Sequence, residues 1–101
     1  MSAERLVPDE LPTEASVVDR LLAWSRSASP GAVFTVVCST AAARWLPQDP
    51  GGAGLHRYRG VLVTALLPDD ATRVELVPLD DSLPTYVGDL TTGDVALRPP
   101  G

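Results

Sequence analysis

The chain has no Lys, no Asn and no Ile, one His (His56) and one Cys (Cys38) among its 101 residues. All eight basic residues are Arg. The missing types have AT-rich codons, so the pattern reports a GC-rich genome before it reports an activity. Each absence still excludes chemistry. Without Lys there is no Schiff base and no Gly-Lys-Ser/Thr phosphate loop. A lone Cys makes no intramolecular disulfide, so nothing argues for an oxidising compartment. One His and one Cys fall short of a zinc ligand set, and the acidic doublets lack EF-hand spacing. The expectation is no metal and no cofactor.

Long apolar runs are also missing. The longest, residues 61–67, is interrupted by Thr64 and is far too short to span a bilayer. Residues 1–12 mix charges with Leu6, Val7 and Leu11 and contain no apolar core of a signal peptide. Both observations predict a cytoplasmic protein that does not insert into membranes. The net charge of −5 opposes phosphate backbones, so nucleic-acid binding is not expected.

What is present suffices for one folded domain. The hydrophobic fraction is 45% and the mean hydropathy +0.09. A chain of this length forms one modest core, and homo-oligomerisation is compatible with that size. The domain is expected over residues 13–98, between a loose arm (1–12) and a short tail (99–101).

Thr13 reads as an N-cap, with Glu14 in the first turn. Ala15, Val18, Leu21, Leu22 and Ser25 then fall at helical spacing, with Val17 and Trp24 beside the stripe. Asp19, Arg20 and Arg26 lie largely off it. Ser29-Pro30-Gly31 stops the helix. Residues 32–38 (AVFTVVC) are apolar on both faces and read as a central strand. Residues 39–46 (STAAARWL) fit a short capped helix or a return strand, and three alanines favour the helix. Residues 48–54 (QDPGGAG) are a loop matching no phosphate-binding signature.

Residues 57–67 read as one long strand, paired with 72–77 across a turn at 68–71. In 72–77, Val74 and Leu76 alternate with Arg73 and Glu75, which predicts one wet face. A second hairpin pairs 86–90 with 94–97 around Thr91-Thr92-Gly93. The predicted fold class is α+β: an N-terminal amphipathic helix packed on a mainly antiparallel sheet of four or five strands.

Few side chains are candidates for a site. Cys38 and His56 form the only thiol–imidazole pair, but Cys38 closes an apolar run, where a small buried thiol is the usual occupant. No third residue is placed to orient His56. No catalytic residue is assigned, which leans against an enzyme. His56-Arg57-Tyr58-Arg59 is the one dense basic and aromatic cluster. On a strand, Arg57 and Arg59 would share a face and could grip a carboxylate or phosphate, with His56 nearby. Asp69-Asp70 and Asp80-Asp81 fit turns, where Asp bonds its own backbone. Trp45 is expected to be buried; exposed beside Arg44, it would mark an interaction surface. Small size, acidity and the lack of a catalytic set favour a non-enzymatic interaction module: an accessory, adaptor or immunity-type protein with a protein partner. The alternative is a small-ligand or anion-binding domain using Arg57 and Arg59, within an oligomeric enzyme or outside one.

Overall fold

The computed structural model describes residues 13–51 and 54–100. The expected N-terminal arm and Gly101 lie outside the described residues. Helix α1 (Thr13–Ala28) leads into strand β1 (Phe34–Ser39) and the short helix α2 (Thr40–Ala43). Five more strands follow: β2 (Arg57–Tyr58), β3 (Val61–Leu67), β4 (Arg73–Pro78), β5 (Thr85–Asp89) and β6 (Val95–Arg98). The class is α+β as expected, but the strands number six rather than four or five. They form one sheet in the order β2-β3-β1-β4-β5-β6. All neighbours are antiparallel except β1 and β3, which are parallel. Among the described residues, no helix is long and apolar enough to cross a membrane.

The apolar stripe of α1 behaves as its spacing predicts. Ala15, Val17, Val18, Leu21 and Leu22 are all buried, and Ser25 with them. The buried Ser25 hydroxyl donates to the Leu22 carbonyl within the helix. The stripe packs on Phe34, Val36, Val74, Leu76 and Tyr86, which alternation places on one sheet face. Tyr86 takes Trp24 and Phe34 edge-on, at centroid distances of 5.1 and 5.7 Å. Trp24 is 36% exposed, as its border position implies.

Residues off the stripe also act. Arg20 donates to the Gly93 carbonyl in the β5–β6 turn. Arg26 donates to the Arg59 carbonyl in the β2–β3 turn. The helix is thus tied to the turns of both outer hairpins.

Two expectations need correction. Residues 57–67 are not one strand. A two-residue turn at Arg59-Gly60, with φ of 51° and 83°, folds β2 back on β3. Positive φ at both central positions is the geometry of a tight hairpin, and it strains a residue with a Cβ. Asp49 offsets that cost: its carboxylate accepts from the N–H groups of Arg59 (3.0 Å) and Gly60 (2.7 Å).

Nor does β3 pair with β4. Strand β1 lies between them, parallel to β3 and antiparallel to β4. The reason is burial. Phe34, Val36 and Cys38 are buried and Thr35 and Val37 half-buried, so this strand gains most from a central place. The link from Leu67 to Arg73 must cross two strand spacings, roughly 10 Å, within easy reach of its five residues.

Other segments follow the sequence. The 39–46 ambiguity resolves as a helix capped by Ser39, whose hydroxyl accepts from the Ala42 N–H at 3.0 Å. The β5–β6 hairpin forms around Thr91-Thr92-Gly93. Asp80 makes the expected turn contacts, accepting from the Ser82 N–H and hydroxyl.

Candidate functional site

Helix α1 covers one sheet face; among the described residues no second layer covers the other. Register defines what that open face carries. Arg57 pairs with Leu62, Leu62 with Thr35, and Thr35 with Val77. Val37 pairs with Glu75, and Glu75 with Val87. Arg73 pairs with Asp89, Thr85 with Arg98, and Val87 with Ala96. Paired residues share a face, and Tyr58, Val36, Leu76 and Tyr86, one step away, are buried against the helix. Leu62, Val37, Val77 and Val87 therefore form a half-buried apolar band on the side away from α1.

A charged cluster crosses that band. Glu75 receives Arg73 Nε at 2.8 Å and both terminal nitrogens of Arg98 at 3.1 Å. It is only 7% exposed, so the face expected to be wet is wet at Arg73 and dry at Glu75. Alternation alone does not reveal that two arginine stems fold over the carboxylate. Burial by itself would raise the Glu75 pKa. Hydrogen bonds and charge from Arg98 and Arg73 outweigh it, and the carboxyl lies below its ordinary value.

A depressed carboxyl pKa has a definite sign for stability. The contribution is full above the unfolded value, about 4.3 for Glu, and is lost as pH falls through the folded value. Glu75→Gln should therefore flatten the acid limb of a stability–pH curve below about pH 4.3. Denaturant titrations across that range check this; an unchanged slope would show that Glu75 does not contribute.

Beside the cluster lies an open cavity of about 400 Å³, lined by Val77, Thr85 and Arg98 from the open face. The 78–83 segment (Pro78, Asp81, Leu83) and the tail (Pro99, Pro100) also line it.

The arginine pair expected to grip an anion does not share a face. Arg57 stands on the open face at the β2 edge, and Arg59 sits in the turn. Arg59 Nε donates to Asp19 Oδ1 at 2.7 Å, and its guanidinium lies 5.2 Å from the Tyr58 ring centre. Tyr58 also donates to Asp19 Oδ1, at 2.7 Å. Burial, then the Asp19 hydrogen bond, raises the Tyr58 pKa. This triad fastens α1 to the sheet.

His56 is committed too. Its Nε2 lies 2.8 Å from the Leu46 carbonyl, which accepts only, so the ring proton there donates to the backbone. Cys38 is fully buried, and its pKa is pushed up to about 11 by desolvation. At neutral pH almost none is thiolate, the reactive form. A thiol reagent should label the native protein slowly, at a rate set by opening of the fold. Cys38→Ala should leave any binding intact. Rapid native-state labelling at neutral pH would contradict the assignment.

Trp45 is 54% exposed beside the exposed Arg44, against the expectation of burial. Its neighbour Leu46 is buried instead, at 3%. Among the described residues, no three His, Cys, Asp or Glu side chains gather as a metal group would require.

No family model, curated protein or solved structure matches this chain. The reading of function therefore rests on the open face, the cavity beside it and the exposed Trp45. Of these, sequence reasoning reached only Arg57 and the Arg44–Trp45 pair. Glu75 and Arg98 lie 23 residues apart and gave no local pattern.

Proposed function

We propose that this protein is a cytoplasmic, non-enzymatic interaction module whose contact surface is the open face of its sheet. One observation carries the reading: a six-stranded sheet with a helix on one face and an apolar band on the other. A sheet face of this kind is normally covered by another layer, and contiguous exposed apolar surface marks contact sites. The face is wide. Six strands span about 24 Å across the sheet at the usual spacing. That footprint suits a protein better than a small molecule.

The anion-site alternative draws less support. Arg59 is held by Asp19, and Arg57 points away from it. For the two guanidiniums to close on one ligand, Arg59 would first have to leave Asp19.

Native mass spectrometry of the protein purified from its own cells distinguishes the two readings. The interaction reading expects a stoichiometric protein partner. A retained small molecule with no protein would sink it.

A further inference from the structure

We propose that a second copy of this chain pairs with the first along β6, joining two six-stranded sheets edge to edge about a two-fold axis. In this antiparallel pairing Ala96 lies opposite Ala96 of the second copy. Val95 then lies opposite Leu97, and Asp94 opposite Arg98.

The backbone carries the inference. The sheet has β2 at one edge and β6 at the other. Strand β2 is only two residues long, too short to template a ladder. Strand β6 has four residues, in unbroken register with β5 and with no proline among them. The Asp89 N–H donates to the Asp94 carbonyl at 2.8 Å, which sets the phase of the β5–β6 ladder. By alternation Ala96 and Arg98 turn their N–H and C=O groups toward β5. Val95 and Leu97 turn theirs outward. Among the described residues no strand lies beyond β6 to receive them. Pro99 has no N–H and ends the outward series.

The sequence 94–98 (DVALR) names the occupant, because it is its own complement when reversed. Centred on Ala96, Val95 and Leu97 each meet an outward-turned residue of the second copy, and every outward group finds a partner. Other registers do worse. One centred on Val95 sets Leu97 against Gly93, whose N–H is already given to the Asp89 carbonyl. One centred on Leu97 sets Val95 against Pro99, which cannot donate. Registers centred on Asp94 or Arg98 oppose like charges.

The side chains fit the same register. Val95 and Leu97 stand on the α1 side, opposite Gly88 and Tyr86. Val95 packs on the core, whereas Leu97 is 47% exposed. The pairing places Leu97 beside Val95 of the second copy, an apolar cross-strand pair. On the open side Asp94 is exposed next to Asp89. Arg98 already serves Glu75, and Asp81 lines the same cavity as Arg98. Charge therefore selects the register and supplies little of the affinity. The interface is small, so association is weak and depends on concentration. The two-fold axis stands perpendicular to the sheet, which makes the two open faces one continuous surface.

Sedimentation of the full chain from about 10 µM to about 1 mM, with amide hydrogen exchange at both ends of that range, tests the proposal. A dimer should form as concentration rises. The Val95 and Leu97 amides should exchange freely in the monomer and slow at least about fivefold in the dimer, while Ala96 and Arg98, already bonded to β5, change less. Asp94→Arg sets Arg against Arg98 and should weaken the dimer at least about tenfold. Asp94 holds its turn through its backbone N–H and carbonyl, which the substitution keeps. Asp94→Glu should dimerise as wild type does. Leu97→Pro removes an N–H that points away from β5 and should leave a folded monomer.

A monomer at every concentration, a dimer whose slowed amides lie elsewhere, or wild-type dimerisation of Asp94→Arg would each overturn the proposal. The contact-surface reading is separate. A chain that stays monomeric yet binds a protein partner through Val77 and Val87 loses the β6 pairing and keeps the open face.

Discussion

Gly88→Ala should be among the most damaging single-methyl changes in this protein. Gly88 lies on β5 directly beneath α1, with an ordinary strand backbone. A Cβ there would overlap Val17 Cγ1 and stand 3.4 Å from Leu21 Cδ1 and Val74 Cγ1. All three neighbours are buried and have nowhere to go. Overpacking of this kind costs about 1–3 kcal/mol and sometimes more. For a domain of marginal stability that is a large share of the total. The variant should show a much lower denaturation midpoint. Val17→Ala removes the clashing methyl, so the double variant should be more stable than the sum of the two singles predicts. Additive losses would show that Val17 is not what limits the approach of α1.

Leu21→Ala should be comparably destructive for the opposite reason. Leu21 is 1% exposed at the centre of the helix–sheet layer. Its removal leaves a cavity between α1 and the strands, at a cost of about 2–5 kcal/mol. Leu22, 3% exposed, should behave similarly. The same denaturant titrations read this out. A midpoint within error of wild type would mean that α1 does not pack where it is placed.

Local patterns made much of this legible. The α1 stripe, the Ser39 cap and the Thr91-Thr92-Gly93 hairpin each depend on residues within a few positions of one another. Their physics is short-range, and a sequence displays it directly. The errors came where distant residues decided the outcome. Arg59-Gly60 is not an obvious tight-turn pair. It becomes one because Asp49, ten residues earlier, accepts both turn N–H groups. Strands β3 and β4 looked like a hairpin because their linking turn is well formed. Burial of β1 between them outweighed that local preference.

The candidate site was less legible than the fold. Arg57 and Arg59 were linked on the assumption that they shared one strand, and the turn separates them. The feature that replaces them joins Arg73 and Glu75 on β4 to Arg98 on β6. It exists only once β5 has brought those strands into register. Trp45 was expected inside because large aromatics usually are. Leu46 takes the buried place after α2, and the Trp45 ring stays outside.

The open-face account and the Trp45 surface make opposite predictions for one comparison. Val77→Gln/Val87→Gln strips apolar surface from the open face at half-buried positions and should cost only about 1 kcal/mol of stability. Trp45→Ala strips the exposed ring near α2 and should cost little. Partner affinity of both variants, measured by titration calorimetry on folded protein, tests the central claim most directly. The account predicts at least a tenfold loss for Val77→Gln/Val87→Gln, equal to about 1.4 kcal/mol, and near-wild-type binding for Trp45→Ala. Full binding by the sheet variant, with binding abolished by Trp45→Ala, would contradict it.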